Sequence, residues 1–303
     1  MYQAYQYQDV HAAAVRAQWQ IEDVLPDGAR LDFARPFMPE GLARTEALDF
    51  LSTDEKRVAN QVRGHDYLSI FGLVEEFILP FVLDHVRPDL DVDDWRVRAL
   101  LNFAGEEAKH IQLFRRFHGV FTRDFGTTCA VIGPGDAIRD FVLKHDPLAV
   151  GLVILMIEWM TQRHYLEGVR DDAGLDPLFQ SLLRHHWMEE AGHARLDTLM
   201  VEALAEGRSA AAIEKAIDDA FAIAGFLDAG LKTQSRFNRE AFEAHTGRIL
   251  EDEERAIFEE QQHQAMRWTY IGSGLTHPKF RATVARIAPD GLARFDAAAP
   301  HFC

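Results

Sequence analysis

Two short segments, EEAKH at 106–110 and EEAGH at 189–193, place a Glu three residues before a His in near-identical settings. With 22 Glu and 14 His in 303 residues, chance alone supplies about one such spacing, and there are three. The partners of the first two set them apart. The apolar run SIFGLVEEFILPFVL carries Glu75 and Glu76, and LAVGLVILMIEWM carries Glu158. Glu76 lies 31 residues before Glu107, and Glu158 lies 32 before Glu190. That is one helix, a short turn and half of the next. Two such helical pairs, packed antiparallel, bring carboxylates and imidazoles together at mid-bundle. A carboxylate buried there costs on the order of several kcal/mol unless it is paired or bound to a cation. A pair of metal ions accounts for the whole set. A core carboxylate held by Arg accounts for Glu158 alone equally well.

The rest of the chain reads as helical. Ser52 and Glu55 have capping-box spacing and predict a helix start, running to about Pro80 with a further turn or two to Val86. Further helices are predicted over about 92–120, 135–144, 146–170 and 177–206, the last stopping at Gly207. Two or three more are expected over 208–303. Residues 1–50, punctuated by Pro26, Gly28, Pro36, Pro39 and Gly41, are expected to be irregular. Alternating strand patterns are scarce. The expected class is all-α: one domain over 1–303, with a four-helix bundle over about 52–206 and additions at both ends.

A Glu from each of two helices plus Glu-x-x-His from each of two others resembles the ferritin-like di-iron carboxylate superfamily over about 60–200. For the first helix, Glu76 is favoured over Glu75. Glu76 shares its face with the small residues Ser69 and Gly72, whereas Glu75 lies on a more core-like stripe with Leu68, Gly72 and Leu79. Upstream of the second motif, HHWMEEAGH places His186, Glu190 and His193 within about 60° of arc on one helix face. This His-x-x-x-Glu-x-x-His is similar to the bacterial p-aminobenzoate N-oxygenase family. The resemblance implies Glu76 (or Glu75), Glu107, His110, Glu158, His186, Glu190 and His193 as ligands to two iron ions, with manganese an alternative. It also implies that Glu106 serves His193 and Glu189 serves His110 as outer hydrogen-bond partners. His185 should point elsewhere. Glu260 and His263 in EDEERAIFEEQQHQ read as a solvated face, although Asp228 lies upstream in an apolar stretch.

The implied chemistry is that of a di-iron oxygenase activating O2 against a small organic substrate, with N-oxygenation of an aryl amine its most specific form. A non-redox metal hydrolase and a metal-binding bundle without turnover are the alternatives. Phe114 stands where small-subunit ribonucleotide reductases carry a radical Tyr, which disfavours that role, with Tyr67 and Tyr165 the tyrosines left nearby. Extra helices after 208 argue against iron storage. Phe103, Met156, Trp159 and Met160 are candidate pocket liners. A small-molecule substrate, an electron donor and a homodimeric assembly are the partners this reading allows. A net charge of −16 without a basic cluster argues against nucleic acid and anionic membrane. Two cysteines, Cys129 and Cys303, argue against a disulfide framework. With no signal-peptide pattern at the start and no span-length apolar run, the expected location is the cytoplasm.

Overall fold

The helices that begin at Thr53, Trp95, Pro147 and Pro177 each start where a side chain caps a free backbone N–H group. The computed structural model describes residues 4–92 and 94–303. Helix α1 covers Tyr7–Ala17, α2 Thr53–Val86, α3 Trp95–Phe125, α4 Gly135–Leu143, α5 Pro147–His164 and α6 Pro177–Ala205. Beyond them lie α7 (Ala210–Thr246), α8 (Asp252–Arg267), α9 (Pro278–Ile287) and α10 (Pro289–Phe302). The Ser52–Glu55 capping box is formed as expected at the start of α2. Asp94, Asp146 and Asp176 accept from the first turns of α3, α5 and α6, the last two followed by Pro at the first helical position. At the end of α3, Gly126 takes φ 74°, a conformation that costs other residues a Cβ clash. Pro80 sits inside α2 without ending it.

Helices α2 and α3 pack antiparallel, and so do α5 and α6; α3 meets α6 across the centre. One large hydrophobic core runs through these four helices and into α7 and the C-terminal helices. A small satellite core lies where the residue 48–59 region meets α7 and α8. Helix α4 lies on α2, while α7 spans α2 and α5 and pairs with α8. No strand is present among the described residues, so the chain is a helical bundle with additions at both ends. No described helix is long and apolar enough to cross a membrane.

Two features depart from the expected layout. Residues 1–50 are not wholly irregular, because α1 buries Val10 and Ala14, one turn apart, against α3 and α6. The strap after α1 is stitched to α2 by buried side chains. Asn60 accepts from the N–H groups of Phe37 and Met38 and donates to Met38 O, and Gln61 donates to Phe33 O and Arg35 O. The second departure lies in α5 and α8, which each end in one π-helical turn, Tyr165–Val169 and Trp268–Gly272. Such turns shift the register of the side chains that follow.

Candidate metal centre

The four central helices aim acids and imidazoles at one buried point. Glu75 comes from α2, Glu107 and His110 from α3, Glu158 from α5, and His186, Glu190 and His193 from α6; none is more than 3% exposed. Glu190 sits between the others. Its Oε1 lies 3.2 Å from His110 Nδ1 and 2.9 Å from His186 Nε2, and its Oε2 lies 3.3 Å from His193 Nδ1. Glu75 Oε1 is 3.1 Å from His186 Nε2 and 3.5 Å from His110 Nδ1, and Glu107 Oε1 is 2.8 Å from His193 Nδ1. Two overlapping sets result, Glu75–His110–His186–Glu190 and Glu107–His110–Glu190–His193, each with its donor atoms within 4.8 Å of one another. Glu158 stands beside them and hydrogen-bonds Glu190.

The outer ring nitrogens are held crosswise between α3 and α6. His110 Nε2 is 2.8 Å from Glu189 Oε2, and His193 Nε2 is 2.9 Å from Glu106 Oε2. A carboxylate on the outer nitrogen fixes the ring and makes the inner nitrogen a better donor to a metal. His185 does turn away, its Nδ1 lying 2.7 Å from Ser181 O.

The inward atoms fit metal ions. Glu75 Oε2, both oxygens of Glu107, Glu158 Oε2 and the Nδ1 atoms of His110 and His193 are buried without a well-directed hydrogen bond. Unpaired buried groups of this kind are costly unless a cation satisfies them. The electrostatics agree. Burial and the neighbouring Glu190 charge push the Glu158 carboxyl well above the usual range, so it is the donor in its bond to Glu190. Burial raises Glu107 to about 7 against the opposing pull of His193. Burial alone would lower His110 and His193, but the hydrogen bond that His110 Nε2 donates to Glu189, with the Glu190 and Glu75 carboxylates facing its Nδ1, and the Glu190 charge with Glu106 and Glu107 around His193, raise both well above the ordinary imidazole value. Burial likewise opposes the charges of His186 and His193 at Glu190, and the histidines prevail, holding it well below normal. Protonated imidazoles thus supply the positive charge that metal ions would supply in their place. One Glu from each of two helices, with Glu-x-x-His from each of two others, is the arrangement of ferritin-like dimetal bundles. The group is suited to two metal ions.

On α2 the preference for Glu76 is corrected. Glu75 faces the cluster, whereas Glu76 Oε1 pairs with Arg115 at 2.9 Å and its Oε2 abuts Gly135 at the start of α4. Ser69 and Gly72 do leave room, but they open a cavity on the outer side of α2. The third motif is also resolved. Glu260 is exposed, and His263 Nε2 lies 2.8 Å from Asp228 Oδ1. Arg267 grips the same Asp228 carboxylate with Nε and Nη2, both at 2.7 Å, so a guanidinium stands where a cation would. Of the four suggested liners, Phe103 stacks on His193 at 4.0 Å. Trp159 instead stacks on His277, Met156 packs under Gly274, and Met160 is core. Tyr67 hydrogen-bonds His164 at 3.2 Å, and Tyr165 stacks on Trp187.

Asp197 was missed. It is 1% exposed, neither oxygen has a hydrogen-bond partner, and burial pushes its carboxyl well above normal with help from Glu107 and Glu190. Its position one turn after His193 was a legible signal. Trp19 was missed as well, because only the tertiary fold brings it against His110.

No family model matches the sequence, and no curated protein matches it. Among solved structures, the chain is similar to an R2-like ligand-binding oxidase bearing a Tyr-to-Phe substitution, with an anaerobically reconstituted Mn/Fe cofactor (TM-score 0.44, 14% identity, 86% of this chain and 92% of that one). A Val-to-Leu variant of an R2-like ligand-binding oxidase, with an aerobically reconstituted Mn/Fe cofactor, matches at TM-score 0.44 and 13% identity over 99% and 94%. Likeness at this level carries no argument about function, which rests on the side chains described above.

Proposed function

We propose that this protein is a dimetal oxidase that uses O2 to oxidise a small organic substrate, with N-oxygenation of an aryl amine as its most specific form. The observation that carries the reading is the ring of inward carboxylate and imidazole atoms, without well-directed hydrogen bonds, around Glu190. Mixed oxygen and nitrogen donors of this kind suit iron and manganese. When bound, two such metals would supply the electrons that reduce O2.

The chain's own residues have definable tasks. Glu75, Glu107, His110, Glu158, His186, Glu190 and His193 would hold the metals, with Glu190 placed to serve both. Glu106 and Glu189 orient His193 and His110. Rings exclude water on several sides: Phe103 on His193, Phe71 and Phe114 edge-on to His186, and Trp19 on His110. Asp197 is placed to hold a proton beside Glu107 and Glu190. A small-molecule substrate and an external electron donor are the partners this chemistry requires.

The test is metal analysis followed by single-turnover O2 consumption with the reduced, iron-loaded protein and a panel of aryl amines. Two metals per chain and O2 uptake that increases with an amine, giving an oxygenated product, are expected. Hydrolysis of an ester or amide without O2, by protein loaded with redox-silent zinc, would make it a hydrolase instead.

A further inference from the structure

A cavity of about 220 Å³ opens between α2, α3 and the loop before α4, outside the cluster of acids and imidazoles. Its apolar wall includes Ile111, Phe114 and Ile132. Phe114 both lines this cavity and meets His186, with ring centroids 5.1 Å apart and planes at 69°. Gly72, three residues before Glu75, forms part of the floor. A Cβ there would touch Phe114 at 3.6 Å, an ordinary contact, so any longer side chain would grow into the space. A second, larger cavity of about 590 Å³ shares Val131 and Ile132 as its wall and is lined further by Phe226 and Phe237.

Each polar side chain of the smaller cavity has a partner within the protein. Ser69 Oγ donates to His65 O at 2.8 Å, Glu76 pairs with Arg115, and His118 Nδ1 lies 2.9 Å from His65 Nε2. With Arg115 paired to Glu76, these two charged side chains of the lining offer an entering ion no net counter-charge to offset its desolvation. Open to solvent on one side, the cavity is larger than an enclosed one of about 150 Å³ that holds benzene, which leaves room for one ring and small substituents.

We propose that this cavity is the substrate chamber of the metal centre, that it admits uncharged single-ring aromatic molecules, and that Phe114 is the gate between chamber and cluster. The proposal rests on the dimetal-oxidase reading for its purpose, but chamber and metal are separately measurable. A neutral ring such as aniline enters; a ring bearing a carboxylate or an ammonium does not.

The experiment titrates aniline, benzoate and benzylamine calorimetrically at pH 7.5 into the full chain, both metal-free and metal-loaded. Aniline should bind both forms, with the anionic and cationic probes at least about tenfold weaker. Gly72→Leu and Ile132→Trp should each weaken aniline by about tenfold or more without changing metal content. Ile132 is half-buried on a loop, so its variant stands in should Gly72→Leu fail to fold. In Mn(II)-loaded protein, Phe114→Ala should increase the paramagnetic relaxation of bound aniline protons by letting the ring approach the metal. Equal binding of the charged probes, unchanged aniline affinity in both filled variants, or unchanged relaxation in Phe114→Ala would overturn the proposal. A chain that binds filler-sensitive aniline but no metal would sink the oxidase reading and leave the chamber. A metal-loaded chain with filler-insensitive aniline would sink the chamber alone.

Discussion

Trp19 lies flat against His110, with ring centroids 5.8 Å apart and planes 14° from parallel. Lys109 Nζ sits 3.9 Å over the same indole and also pairs with Glu189, the residue that holds the outer nitrogen of His110. One aromatic side chain from the N-terminal segment therefore seals the α3 side of the cluster. Trp19→Ala should destabilise the fold by about 3–5 kcal/mol in denaturant titration. Trp19→Phe should retain most of that stability. Metal binding should change Trp19 emission, and that component of the fluorescence change should vanish in Trp19→Phe.

Glu158 separates folding from metal binding. In the metal-free protein its carboxyl is pushed up by burial and donates to Glu190. Glu158→Gln preserves a donor of similar shape and removes an ionisable group from the core. Its metal-free form should thus melt at or above the wild-type temperature, whereas its metal affinity should fall. Reduced affinity would appear in competition with a chelator. A variant that matches the wild type in that competition would make Glu158 a structural acid.

The metal-free protein should lose stability as pH rises above 6.5. His110, His186 and His193 all have folded values raised above the ordinary 6.5, against burial, chiefly by Glu189 for the first and Glu190 for the other two. Their stabilisation is present below 6.5 and is lost as pH climbs through the raised values. Glu158 and Asp197, raised by burial, act in the same direction because the folded state keeps protons that the unfolded state has already released. Metal binding displaces those protons and should tighten with pH instead. Urea midpoints between pH 6.5 and 9 should therefore fall for the metal-free protein, and the gap to the loaded form should widen. A flat metal-free profile would show that the imidazoles are not carrying the compensating charge.

His186 reaches Glu75 at 3.1 Å and Glu190 at 2.9 Å, so it belongs to the Glu75 side of the cluster. Six other candidate ligands remain without it. His186→Ala should keep about two metals per chain, the number such a bundle holds, yet change the electron paramagnetic resonance spectrum of the reduced iron protein and slow turnover. A variant matching the wild type in both would reduce His186 to a helix histidine beside the site.

The elements that were legible in the sequence are those set by local chemistry. Ser52 with Glu55 marks a helix start because the two side chains satisfy each other's backbone donors. Glu158 stands out because it is the only charged residue in the run LAVGLVILMIEWM. The cross-helix partners Glu106 and Glu189 followed from the resemblance. What stayed hidden depends on packing. Val10 and Ala14 make a helix worth forming only once α3 and α6 are there to cover them. His263 and Asp228 have metal-like spacing, and only the fold shows Arg267 already seated between helices α7 and α8.

Glu75 and Glu76 pose the same problem at its sharpest, since adjacent residues on a helix point about 100° apart and composition alone does not choose between them. Glu75→Gln should remove a charge from the cluster. Metal affinity should fall, and the spectrum should change as in His186→Ala, because both residues face the same part of the cluster. Glu76→Gln should leave metal content and spectrum unaltered. It breaks a partly exposed pair with Arg115, an interaction worth about 0–1 kcal/mol at the surface, and loosens the contact with Gly135 at the start of α4. The two variants, compared by metal analysis and by melting, should thus differ: lost metal and a less stable metal-free fold for Glu75, whose carboxylate helps hold His110 and His186 protonated, and intact metal with a slightly lowered melting temperature for Glu76. Metal loss in Glu76→Gln with retention in Glu75→Gln would reverse the assignment and return the first-helix ligand to the residue the sequence favoured.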